Sequence, residues 1–153
     1  MDEEKKPTYL LSVLSNSCPR CRTGKLFVNK NPYNLKSVLK MNKNCFVCGQ
    51  PTEIEVGFYY GTAYVSYALT VAFCFTTFIA WWVLIGFSVK DGDYRLLYWG
   101  IMNAVLLIVL QPLFMRLSRS VWLSWFVKYE PDWKNNPVSS ESVERIVPNQ
   151  MND

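Results

Sequence analysis

Cys18-Pro19-Arg20-Cys21 and, 23 residues later, Cys45-Phe46-Val47-Cys48-Gly49 decide how this chain is read. A Cys-x-x-Cys turn aims two sulfurs at one point, and two such turns complete a tetrahedron around a metal ion. From Val56 to Val89 there follows a stretch without one charged side chain. The order is therefore a thiolate-ligated ribbon in water, then helices in lipid.

Working outward, residues 16–56 hold few large apolar side chains, and so small a core is seldom stable unaided. A structural metal supplies what the core lacks. Cys18, Cys21, Cys45 and Cys48 are the candidate ligands, and zinc is the expected ion. Iron in a rubredoxin-like site uses the same four thiolates and ranks second. A redox dithiol of Cys18 and Cys21 would leave the second pair without a role. With four protein ligands no position stays open for water, so the site reads as structural. Arg20, Arg22 and Lys25 lie close enough in sequence to moderate its charge. Gly24 to Val28 and the alternating Thr52 to Val56 read as short strands, and Gly49 suits the positive φ that closes a knuckle.

The chain contains no histidine, which removes the commonest general base and half of the usual zinc ligand set. Its formal net charge of +4 is too small to imply nucleic acid. The ribbon has few evident stacking groups, Phe27 and Tyr33 among them, which also argues against that partner. No small-molecule substrate is indicated. Met1 to Thr8 is polar and lacks the pattern of an export signal, so the thiols are expected to be reduced.

Five segments follow. Residues 1–15 form an N-terminal segment in which Tyr9 to Leu14 suits a short helix at the membrane surface. Residues 16–56 are the ribbon. Residues 57–115 are a hairpin of two transmembrane helices, about 62–89 and 96–115, each long enough for ~30 Å of hydrocarbon. Residues 116–130 read as an amphipathic interfacial helix, with extension of the second span as the alternative. Residues 131–153 are a polar tail. The turn Lys90 to Arg95 is charge-balanced, whereas lysines and arginines crowd the other side. That bias places the ribbon and both termini in the cytoplasm.

Within the hairpin, Tyr67, Thr70, Cys74 and Thr77 recur at helical spacing and are candidates for helix–helix contact. Asn103 and Gln111 are their counterparts on the second span. Neither span carries an ionisable side chain of the kind that marks ion routes. Pro112 is placed to kink the second helix. Arg116, Arg119, Trp122 and Trp125 are expected at the lipid interface.

Cys18 to Phe27 (CPRCRTGKLF), Cys45 to Gly49 (CFVCG), Gly57 to Gly61 (GFYYG) and Tyr64 to Ala68 (YVSYA), in that order, resemble the bacterial domain-of-unknown-function family 983. The likeness spans roughly Ser12 to Arg119, and its tyrosine-rich junction is similar to versions from Bacteroidetes-type bacteria. Phe46 stands where many members have proline, which removes no ligand. The resemblance implies a small inner-membrane zinc-ribbon protein. It also implies an association with cytochrome-oxidase assembly, and it brings no catalytic residue. The expected function is thus a non-enzymatic adaptor, accessory subunit or assembly factor of a larger membrane complex, or a homo-oligomer. The alternative is a protein that handles zinc, copper, iron or electrons for a membrane enzyme.

Overall fold

The computed structural model describes residues 8–86 and 93–138. The first seven residues, the tail from 139 onward, the expected end of the first span and most of the hydrophilic turn lie outside the described residues. Among the described residues, three α-helices carry the fold: α1 (Tyr9–Leu14), α2 (Thr62–Leu84) and α3 (Arg95–Phe126). A 3-10 turn, Phe58–Gly61, leads into α2.

α2 is an uncharged run of Ala, Val, Leu, Phe and Thr whose backbone groups bond within the helix, as a segment long and apolar enough to cross a membrane requires. Its end is defined at Gly86, where φ is 77° and the amide returns to the Trp81 carbonyl at 3.2 Å. Only a residue tolerant of positive φ closes a helix in this way. α3 begins where Asp93 accepts the Arg95 amide at 3.0 Å. The Arg95 guanidinium then reaches the Ile85 carbonyl at 3.1 Å and joins the two helix ends. α2 and α3 are both long and apolar enough to cross a membrane.

The two helices run antiparallel. Phe73 stacks edge-on to Phe114 at 5.7 Å, and Phe78 to Trp99 at 5.3 Å. Between these pairs Asn103 is 7% exposed. Its amide donates to Cys74 Sγ at 3.3 Å, and its oxygen accepts from the Thr77 hydroxyl at 3.0 Å. The polar contact expected between the spans is therefore made by Cys74, Thr77 and Asn103. Thr70 is half-buried and bonds back to the Ser66 carbonyl instead. Tyr67 is 72% exposed and Gln111 is exposed as well, so neither joins the contact. At 100° per residue, Tyr67 stands about 80° around the helix from Thr77, and Gln111 about 80° from Asn103. Asn103→Ala is expected to lower hairpin stability by about 1 kcal/mol in reversible detergent unfolding, the scale of such bonds in apolar surroundings. An unchanged midpoint would remove the bond from the account.

α3 has 32 residues and so measures ~48 Å, well beyond the ~30 Å of hydrocarbon. The excess lies at its C-terminal end. There the exposed apolar surface of the helix gives way to buried Arg116, Ser118, Ser120 and Leu123. The separate interfacial helix expected over 116–130 is instead the unbroken continuation of α3 to Phe126. Arg116 and Arg119 interrupt the apolar run, but arginine is a good helix former, so the backbone continues. Pro112 sits inside the helix and leaves only the Ile108 carbonyl without its usual donor.

Residues 8–58 wrap this protruding end. α1 is fastened at both ends: the Tyr9 hydroxyl lies 2.8 Å from Ser124 Oγ, and Ser120 donates to Asn16 Oδ1 at 2.7 Å. The cysteine module forms no extended strands among the described residues. It has isolated antiparallel bridges at Ser17 with Lys25, Phe27 with Met41, and Asn44 with Pro51. Thr52 to Val56, expected as a strand, is irregular. The Thr52 side chain and amide are drawn instead to the Asn42 and Lys43 carbonyls.

Candidate metal centre

The four cysteines converge. Cys18 and Cys48 sulfurs are 3.7 Å apart, as are those of Cys21 and Cys45, and all four lie within 4.8 Å of one another. A tetrahedron with Zn–S bonds of ~2.3 Å has edges of about 3.8 Å. A disulfide needs about 2.05 Å, and all four thiols are free. The donor set and its spacing fit a tetrahedral thiolate-bound ion. Zinc there would cross-link the two knuckles, and its identity rests on the ligand chemistry.

Both knuckles use the same backbone device. The Cys18 carbonyl accepts from the Arg22 amide at 2.7 Å, and the Cys45 carbonyl from the Gly49 amide at 2.9 Å. Arg22 and Gly49 are thus equivalent, and both are left-handed, with φ of 60° and 71°. For a residue with a Cβ this costs roughly 1–2 kcal/mol. The Arg22 guanidinium lies over the Tyr129 ring at 4.0 Å, which helps to hold it.

Gly24 is the position that sequence reasoning missed. Its amide points at Cys21 Sγ at 3.4 Å, and its carbonyl accepts from Cys18 N at 2.7 Å. A Cβ there would sit 2.2 Å from Cys45 Sγ, so the chain passes too close to the sulfur for any side chain. The available signal was its place three residues after Cys21, where knuckle amides reach back to sulfur. Gly24→Ala is expected to weaken metal binding by roughly 10- to 100-fold, the range for supporting residues around a metal, in competition with a chromogenic chelator. Unaltered affinity would mean that the sulfur has room to move.

The cluster is charged unevenly. Hydrogen bonds from Cys18, then from Cys45 and Cys48, hold Cys21 far below the ordinary thiol range. The same partner leads in lowering Cys45 to about 6. Cys18 is pushed up by its bonds to Cys21, Cys45 and Cys48 and by burial. Sulfurs this close cannot all be anions unless a cation lies among them.

The centre shares its core with α3. Cys18, Cys21 and Cys45 are buried together with Leu26, Phe27, Leu123 and Val127, and Ile54, Phe58 and Trp133 pack around them. Arg20 binds the periphery. Its guanidinium donates to the Cys48 and Asn136 carbonyls, and its own carbonyl accepts from Glu130 N. Lys25 turns away from the sulfurs to Ser15 and Ser17. A cavity of 370 Å³ lies beside this point, lined among others by Arg20, Gln50, Pro51, Phe126 and Glu130.

Arg116 and Arg119, expected at lipid, bond to carbonyls of the loop from residue 30 to residue 39. Arg116 is 3% exposed. It donates to the carbonyls of Val38 at 3.0 Å, Lys30 at 3.2 Å and Asn31 at 3.0 Å, and lies over the Phe27 ring. Arg119 donates to the Leu39 carbonyl at 2.9 Å and lies over Tyr59. The irregular loop has carbonyls that no strand satisfies, and a guanidinium offers five donors to several acceptors at once. Trp122 is likewise turned inward and donates to the Phe58 carbonyl at 2.9 Å. Of the four residues expected at lipid, Trp125 alone is fully on the surface.

No family model, no curated protein and no solved structure matches the chain, so the resemblance to family 983 rests on the quoted motifs.

Proposed function

We propose that this chain is a non-enzymatic zinc-ribbon protein of the bacterial inner membrane, with ribbon and termini in the cytoplasm. It acts as an adaptor, accessory subunit or assembly factor of a larger membrane complex. A respiratory complex of the cytochrome-oxidase kind is the favoured setting, on the family resemblance alone. One observation carries the reading. The four-sulfur cluster is packed against the protruding end of the same helix that is long enough to span the bilayer. A metal held by four protein sulfurs supplies rigidity and has no position for a reacting ligand. Rigidity at a fixed height above a membrane is useful for presenting a surface to a partner. A two-helix hairpin also leaves most of its apolar flanks uncovered by protein, so a partner or a second copy beside it is expected.

Extraction in mild detergent followed by identification of co-purifying proteins tests this. A defined membrane complex, or a homo-oligomer, is the expected result. A monodisperse monomer without companions would count against the adaptor role.

A second reading has one observation in its favour: Cys48 is partly exposed, unlike the other three sulfurs. A protein that hands zinc, copper, iron or electrons to a membrane enzyme needs such access. Fast metal exchange, or the visible absorption of an iron–thiolate centre, would support it. A colourless site that holds one zinc ion and exchanges slowly favours the structural role.

A further inference from the structure

We infer that the loop from Asn29 to Leu39 is a membrane-surface wedge that engages anionic phospholipid headgroups beside the hairpin. This rests on the membrane reading above and adds to it a contact made by a segment far from either span in sequence.

The first argument is position. The loop hangs from Arg116 and Arg119 through the carbonyls of Lys30, Asn31, Val38 and Leu39. These arginines are the first charged residues after the uncharged run that ends at Met115. Helical side chains slant toward the helix N-terminus, so Arg116 leans back toward the span and holds the loop at that level. The second knuckle lies further out, since Gln50 and Pro51 share a cavity with Phe126 and Glu130. From Arg116 to Phe126 is ~15 Å of helix.

The second argument is surface chemistry. Leu35 is 74% exposed and Tyr33 is half exposed, at the tip of a polar loop where core packing does not explain them. Lys30, Lys36 and Lys40 are exposed around them. Every charged side chain between Lys5 and Thr52 is basic, so nothing acidic in that stretch offsets the lysines. An apolar tip ringed by lysines suits the boundary between anionic phosphates and acyl chains.

The third argument is backbone satisfaction. Irregular backbone is costly near lipid unless its polar groups are paired. Here the arginines take four carbonyls, Asn29 Oδ1 accepts from Asn31 N at 3.0 Å, and Asn31 Oδ1 accepts from Tyr33 N at 2.9 Å.

The test uses the full chain in vesicles that mix phosphatidylcholine and phosphatidylglycerol. A fluorescent amino acid is placed at Leu35, at Ile108 on the exposed face of α3, or at Phe46 on the second knuckle. Quenching by acyl-brominated lipid is then read. Leu35 is expected to reach at least about half the quenching of Ile108, while Phe46 shows little, as a headgroup-level site requires. Brominated phosphatidylglycerol is expected to quench Leu35 more than the brominated choline lipid, and K30Q/K36Q/K40Q to abolish that preference. Leu35 behaving like Phe46 while Ile108 is quenched overturns the wedge and leaves the hairpin standing. This is also the outcome if a protein partner covers the loop. No quenching at Ile108 overturns the membrane reading itself. A preference that survives in the triple variant overturns the part given to the lysines.

Discussion

Cys21→Ser is expected to reduce bound zinc from one ion per chain to none and to unfold the cysteine module while the helical hairpin persists. Structural zinc contributes roughly 10–16 kcal/mol in finger peptides, whereas whole domains are stable by only about 5–15 kcal/mol. A module whose core consists of Leu26, Phe27 and three of the sulfurs, leaning on Leu123 and Val127, cannot absorb that loss. Elemental analysis together with limited proteolysis of residues 16–56 is the measurement. Removal of metal by a strong chelator should reproduce the cleavage pattern, and zinc should reverse it. Cys74→Ser is the control and should retain one ion, because Cys74 lies in α2 and meets Asn103 instead. Acid should also strip the metal. Protons and the ion compete for the same four sulfurs, so retention should rise with pH. A chain that keeps its module intact without metal would defeat the structural role.

Arg116→Leu is the second large effect. The variant leaves the carbonyls of Lys30, Asn31 and Val38 without their donor at a site that is 3% exposed. Each buried carbonyl left without its donor costs about 1–3 kcal/mol. The loop should become sensitive to protease between Asn29 and Leu39, and the thermal midpoint in detergent should fall. Arg116→Lys keeps the charge but presents a single point donor in place of a planar fork, so it should recover only about 1 kcal/mol. Zinc content should stay at one ion per chain, because no cysteine touches the guanidinium. Wild-type protease resistance in Arg116→Leu would show that the loop is held by something else.

The sequence disclosed the parts of this fold that depend on local chemistry. Two Cys-x-x-Cys turns bring their own geometry, so the convergence of Cys18, Cys21, Cys45 and Cys48 could be read without knowing the path between them. The starts of α2 and α3 followed from the absence of charge, but the end of α3 at Phe126 did not, because the helix runs on past Arg116 and Arg119. The surroundings of Arg116 were opaque for a physical reason. A guanidinium at the edge of an apolar helix looks the same whether it awaits a lipid phosphate or the carbonyls of a loop 78 to 86 residues earlier, which here belong to Lys30, Asn31 and Val38. The strand-like run Gly24 to Val28 keeps only isolated bridges at Lys25 and Phe27, and the alternating Thr52 to Val56 is irregular, because five residues are too few to fix a ladder. Around a metal knuckle, side-chain and amide bonds such as those of Thr52 can replace a ladder. Gly24 was invisible because its importance lies in a sulfur that arrives from 21 residues away.

α3 runs as one helix from Arg95 to Phe126 with Pro112 inside it, and its Leu123 joins the sulfur cluster's core. A stiff rod whose apolar part exceeds the local bilayer must lean, and its lean grows as the bilayer thins. The thiolate centre, riding at the tip, would then swing sideways and sink as one piece with the rod. In a chain that spans a bilayer as proposed, the thickness of that bilayer would set the whereabouts of a bound ion, and a partner gripping the ribbon would sense the lipid through it.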